Sequence, residues 1–216
     1  MFDYLRRTPS AGLLLVQLLG ILLYPWMEPR GSVVFGAFGL LVLGNALRVV
    51  GRSPWLTWLA LVLAGVVVTL FAVHTVAPHP GLPVAIATVE SVFYFYAAGS
   101  LTAYMLQDWV ATTDELFAAG ATFTLLAWAF AYAYAACEAL VPGSFSAPIN
   151  PTGPRTWMEL LFLSVSVLSS VGLSDILPVT GMARALVILE SFAGVMYMAL
   201  VVSRLISLTV LRRDQV

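Results

Sequence analysis

The sequence predicts an all-α integral membrane protein with six transmembrane helices and a re-entrant helix and loop between the fifth and sixth. Three observations carry this reading. Of 216 residues, 61% are hydrophobic and only 10% are charged, against about 25% charged in soluble domains. The apolar residues fall into runs of roughly the 20 residues that a spanning helix needs, parted by charges and Pro/Gly clusters. One apolar segment near the end is too short to span. Mean hydropathy is +0.96, which excludes a soluble enzyme, a disordered chain and a basic nucleic-acid binder. Net charge is −1, and every basic residue is arginine. The single cysteine, Cys137, excludes an internal disulfide. The histidines, His74 and His79, are too few to build a metal centre, and no cofactor is expected.

The first run is Ser10 to Met27, closed by the turn Glu28-Pro29-Arg30-Gly31. Arginines precede it, but no small-residue cleavage site follows, so it reads as an uncleaved helix rather than a signal peptide. Its Tyr24-Pro25-Trp26 reads as a membrane-interface anchor. The second run is Ser32 to Val50, in which Asn45 is expected to bond to another helix. The third is Pro54 to Ala77, with proline at a first helical position. Pro78-His79-Pro80-Gly81 breaks it, and the fourth follows, Leu82 to Gln107. Thr112 and Glu115 have capping-box spacing and start a fifth helix that runs to Val141. A loop with four prolines and two glycines, Pro142 to Arg155, follows, and the last apolar run is Met182 to Leu211.

An even number of spans puts both termini on one side. That side gathers Arg6, Arg7, Arg48, Arg52, Arg204, Arg212 and Arg213; the other has Arg30, Arg155 and Arg184. Arginine excess marks the cytoplasmic side, so both termini are expected in the cytoplasm of a plasma-membrane protein. After Leu211 there remain only Arg212 to Val216, so no cytoplasmic ligand-binding domain is expected.

The short segment begins at Thr156-Trp157-Met158-Glu159, a second capping box. A helix from Trp157 to Leu168 rises roughly 18 Å, too little for a hydrocarbon core about 30 Å thick. Leu160, Leu161, Phe162, Leu163, Val165, Val167 and Leu168 nearly surround it with apolar groups, which favours burial over a surface position. Ser169-Ser170-Val171-Gly172-Leu173-Ser174-Asp175 then reads as non-helical. Such backbone is tolerated at membrane depth only where protein buries it or water lines it.

These seven residues, S-S-V-G-L-S-D, resemble the potassium-channel signature T-T-V-G-Y-G-D. The resemblance continues without a gap: Ile176-Leu177-Pro178-Val179-Thr180 is similar to the family's filter exit, Arg184 follows, and Gly194 falls where the inner helix has its hinge. It covers Trp157 to Leu211. It implies a C4 homotetramer of pore-loop subunits among membrane lipids, with cations, K⁺ above all, as the permeant ligands. Two domains follow: a four-helix peripheral domain over residues 1–110 and a pore domain over 111–216. The peripheral helices match voltage sensors in number, but Leu82 to Gln107 has no arginine repeat, so voltage sensing is not expected.

A potassium filter replaces an ion's water with rings of backbone carbonyls from four chains. Ser170, Val171, Gly172, Leu173 and Ser174 would supply them here. Aiming successive carbonyls at one axis needs alternating backbone handedness, which glycine adopts cheaply. Gly172 meets this need; Ser174 replaces the family's second glycine, and Leu173 its bracing tyrosine. The resemblance therefore implies an intact inner half, a relaxed outer half and weakened K⁺ selectivity. Asp175 either rings the outer mouth or accepts a hydrogen bond behind the filter. Val195, Met198, Val202 and Ile206 would line the cavity and gate. Glu190 is expected to pack behind the pore helix, and Glu90 to bond a neighbouring serine or tyrosine, with Arg48 as an alternative partner. The competing reading is a non-conducting homologue that kept the fold as a structural or sensory module. No enzymatic cluster is present, and only one broken segment is visible where a transporter would show two.

Overall fold

The computed structural model describes residues 8–27, 32–50, 57–107, 113–151 and 153–213; the side chains of 27, 32–38, 40, 49 and 205–213 lie outside the description. Its helices follow the apolar runs: α1 (Pro9–Met27), α2 (Ser32–Val50), α3 (Thr57–Val76), α4 (Leu82–Met105), α5 (Thr113–Leu140), the short α6 (Trp157–Leu168) and α7 (Gly181–Arg213). The segments Pro9–Trp26, Thr57–Val76, Leu82–Met105, Thr113–Leu140 and Gly181–Arg204 are each long and apolar enough to cross a membrane. Among the described residues the regular structure is helical apart from one ladder, β1 (Phe145–Ser146) against β2 (Leu177–Pro178), antiparallel with Phe145 opposite Pro178. Arg6, Arg7, Arg30 and Arg52 of the topology argument, the turn after Met27, and Thr112 of the first capping box lie outside the described residues, as do the side chains of Arg212 and Arg213.

Helix α5 is the hub, packing most extensively on α4 and then on α6 and α1. Small side chains make this possible. Ala118, Ala121, Ala127, Ala129 and Ala131 of α5 are buried, as are Ala87, Ala97 and Ala98 of α4. In lipid, where apolar surface gains little from leaving the solvent, such close approach supplies the attraction between helices. Polar bonds fix the register: Ser91 Oγ donates to the Ala129 carbonyl (2.9 Å), and Thr124 Oγ1 to Gln17 Oε1 (2.7 Å). At the start of α5, the Asp114 carboxylate accepts from the Ser10 amide (3.1 Å) and hydroxyl (3.0 Å), tying α1 to α5.

Two expectations change. Asn45 does not reach another helix; its Nδ2 donates to the Leu41 carbonyl one turn back (3.0 Å). Tyr24 is not a lipid-interface anchor: it is buried, its ring centroid 5.7 Å from that of Trp157, whereas Trp26 of the same motif is exposed. A ring at the end of α1 meets α6 because both helices lean on α5.

Candidate ion pathway

Helix α6 starts at the expected capping box. Thr156 Oγ1 accepts from the Glu159 amide (3.3 Å), and Glu159 Oε2 from the Thr156 amide (2.6 Å), satisfying two orphan donors. Leu160, Leu161, Leu163, Ser164, Ser166 and Leu168 are buried and Phe162 is exposed, so nearly the whole circumference is covered by the chain itself.

The helix ends in a way the sequence does not announce. The Ser170 amide donates to the Val167 carbonyl (2.9 Å) and the Val171 amide to the Ser166 carbonyl (3.1 Å). These are the paired bonds of a Schellman closure, which requires a left-handed residue after the cap. Ser170 is that residue, with φ +60°. The Gly172 amide donates to the same Ser166 carbonyl (3.1 Å). In a trans peptide the N–H and the preceding C=O point in opposite directions. Turning the Val171 and Gly172 amides onto Ser166 therefore turns the carbonyls of Ser170 and Val171 away from α6.

Handedness alternates over this stretch. Ser170 (φ +60°) and Gly172 (φ +69°) are left-handed, and Val171 between them is not. The alternation stops before Ser174, whose φ is not positive. Instead Ser174 Oγ accepts from the Ile176 amide (3.1 Å), a serine turn. Backbone strain thus sits at Ser170, where the sequence reading placed none, and Ser174 avoids it. Val171 and Leu173 are 59% and 74% exposed, and Asp175 is exposed too.

Beyond Ser174 the chain is tied to the loop after α5. The Val179 amide donates to the Ser144 carbonyl (2.8 Å), and Thr180 Oγ1 to Ser144 Oγ (3.1 Å). Glu138 at the end of α5 accepts from the Gly143 and Phe145 amides, both at 3.0 Å. Buried Arg155 donates to the carbonyls of Asn150 and Gly153, holding the rest of the loop.

Helix α7 presents one stripe to the chain: Ala183, Glu190, Gly194 and Tyr197 are buried. Glu190 is fully buried behind α6, its carboxyl bonded by the Tyr134 hydroxyl of α5 and the Ser164 hydroxyl of α6. Gly194 lies where α7 crosses the end of α6. A Cβ there would overlap the Leu168 carbonyl oxygen and stand 2.9 and 3.0 Å from its carbonyl carbon and Cα. The glycine therefore serves close approach, a role that nothing local in the sequence signals. Val195, Met198 and Val202 lie on the exposed side of α7; the side chain of Ile206 is outside the description. Lower down, Arg204 pairs with Glu115 at 3.5 Å. Glu90 interacts with Tyr132 of α5, a tyrosine as expected, and not with Arg48. Among the described residues no group of three or more His, Cys, Asp and Glu side chains gathers as a metal ion would need.

Residues 121–210 match the model of a protein family described as Ion channel. No curated protein and no solved structure matches the chain.

Proposed function

We propose, from the match of residues 121–210 to an ion-channel family model in a chain of several apolar helices, that the protein forms a tetrameric, potassium-channel-like cation pore with weakened K⁺ selectivity and is not an enzyme. Six spans enclose a re-entrant α6, both termini are cytoplasmic, and Ser170 to Ser174 line the narrow path. The observation that carries this reading is the doubled bond to the Ser166 carbonyl, which leaves the carbonyls of Ser170 and Val171 facing away from α6. One chain supplies two such oxygens; a ring of four chains would supply the cage that replaces an ion's hydration. The exposed side chains of Val171 and Leu173 lie where neighbouring copies of the ring would cover them. Asp175 would draw cations to the outer mouth, and Val195, Met198, Val202 and Ile206 would line the cavity.

Selectivity is weakened because the left-handed alternation ends before Ser174. An outer strand without aligned carbonyls offers fewer sites at which K⁺ is preferred over Na⁺. The test is cation flux into liposomes holding the purified protein, for the parent and for Gly172→Ala. An alanine at φ +69° is strained by about 1 kcal/mol per chain. Parent flux that falls at least about tenfold in the variant supports the reading. Absence of flux in the parent identifies the non-conducting homologue instead.

A further inference from the structure

Backbone bonds hold the pathway strand to α6 only as far as Gly172: among the described residues, its amide on the Ser166 carbonyl is the last such bond. The next fixed point is Ile176, whose side chain is buried, and from there the chain belongs to the loop after α5. Leu177 pairs with Ser146 and Pro178 with Phe145. The Val179 amide donates to the Ser144 carbonyl (2.8 Å), and Thr180 Oγ1 to Ser144 Oγ (3.1 Å). Thr180 Oγ1 also accepts from the Ala183 amide (3.3 Å), capping α7. Ser144 is itself buried and fixed, its hydroxyl donating to the Val141 carbonyl (2.7 Å). On either side of it, the Gly143 and Phe145 amides donate to the two oxygens of one carboxylate, Glu138 Oε1 and Oε2, both at 3.0 Å. The turn that brings them there runs through Gly143 at φ +82°, a left-handed conformation that glycine adopts cheaply.

We propose that Glu138, Ser144 and Thr180 are positioning residues of the ion pathway, and that the loop after α5 is the outer anchor of its strand. Leu173, Ser174 and Asp175 span the gap between Gly172 and Ile176. Leu173 has no hydrogen-bonding side chain and stands exposed. Ser174 Oγ accepts from the Ile176 amide (3.1 Å), so it follows the outer anchor rather than α6. With two soft dihedrals per residue, so short a span takes its carbonyl directions from where its two ends stand. The inner end is set by Ser166, the outer by Ser144 and, through the amides flanking it, by Glu138. Glutamate suits this place because both of its oxygens accept; glutamine offers one acceptor and an NH2 group that would face an amide donor. At position 180 a serine keeps the hydroxyl that bonds Ser144 and Ala183, and a valine loses it.

The consequence for ions rests on the channel reading above; the anchor does not, and the experiment separates them. Deuterium uptake is measured over the peptide spanning residues 176–181 in the membrane-reconstituted protein, for the parent, Glu138→Gln, Ser144→Ala, Thr180→Val and Thr180→Ser. Ser144→Ala removes one oxygen and leaves the carbonyl that holds Val179, so it guards against a Glu138→Gln or a Thr180→Val that fails to fold. Uptake should quicken by roughly two- to tenfold in Glu138→Gln, Ser144→Ala and Thr180→Val, the scale of one net hydrogen bond, and stay near parent in Thr180→Ser. Relative K⁺ and Na⁺ fluxes should shift in the same three variants only. Unchanged uptake in Ser144→Ala, or Thr180→Ser as disruptive as Thr180→Val, overturns the anchor. Quickened uptake in a conducting protein whose K⁺ to Na⁺ flux ratio stays at parent overturns the positioning role. A parent without flux but with this uptake pattern overturns the channel reading and leaves the anchor standing.

Discussion

Serine at φ +60° in position 170 pays about 1–2 kcal/mol that glycine would not, and four chains would pay it together. Ser170→Gly should therefore raise the melting temperature by several degrees in the absence of K⁺, while removing a hydroxyl from the inner end of the pathway. Ser174→Gly works differently. It gives up the bond from the Ile176 amide (3.1 Å) but permits the left-handed turn that would extend the alternation by one step. The expected result is a larger rise of melting temperature in K⁺ than in Na⁺, because an ion that binds only the ordered strand stabilises it. Leu173→Tyr should add less, although Ser166 Oγ is buried without a hydrogen-bond partner among the described residues and could meet the new hydroxyl. At this scale the sequence discloses Gly172 and the oddity of Ser174, since both lie in a recognisable string. It conceals Ser170, because a Schellman closure built on serine lacks the glycine that normally marks one.

Helix α6 shows how unequally an element's two ends can be read. Its start is written locally, in four consecutive residues that satisfy each other, and its length follows from the apolar run. Thr156→Ala should cost about 1 kcal/mol of stability per chain, seen as a lower denaturation midpoint. Its far end is held through space. The Leu168 carbonyl rests on Gly194, and Ser164 on Glu190, contacts between helices far apart in the chain that no periodicity discloses. Gly194→Ala should be more damaging than Thr156→Ala, because backbone rather than a pliant side chain stands in the way of the new Cβ. Glu190→Leu leaves the buried Tyr134 hydroxyl short of its partner, while Ser164 Oγ keeps the Ala127 carbonyl (2.8 Å), and should cost about 1–3 kcal/mol. Glu190→Gln, which keeps an acceptor for Tyr134, should cost less; thermal melts of both variants in detergent make the comparison. The aromatic contacts around Trp157 were hidden in the same way: Tyr24 and Trp26 share one motif, yet packing buries the first and leaves the second exposed.

Over the whole molecule, the chain buries one stripe of α7 and leaves Ile188, Leu189, Phe192 and Val195 exposed. Some of that surface meets lipid; the part level with Val171 and Leu173 is what neighbouring copies would cover. Native mass spectrometry in mild detergent should give a tetramer, and a dimer or trimer would defeat the pore reading. Composition reveals the membrane class, whereas six spans and cytoplasmic termini are proposed from the apolar runs and the arginine placement of the sequence. In a Cys137→Ser background, Ser146→Cys should react with an impermeant thiol reagent added outside and Thr113→Cys should not. In the proposed pore the Ser170 and Val171 carbonyls form a cation path whose outer half has lost its potassium geometry. The reversal potential of the reconstituted protein, with K⁺, Na⁺ and Cl⁻ exchanged in turn across the bilayer, tests it most directly. The expected result is a cation current whose reversal potential lies between zero and the K⁺ equilibrium value when K⁺ faces Na⁺, and moves toward the latter in Ser174→Gly. A Cl⁻ current, or a parent that already reverses at the K⁺ equilibrium value and is unchanged by Ser174→Gly, would contradict it.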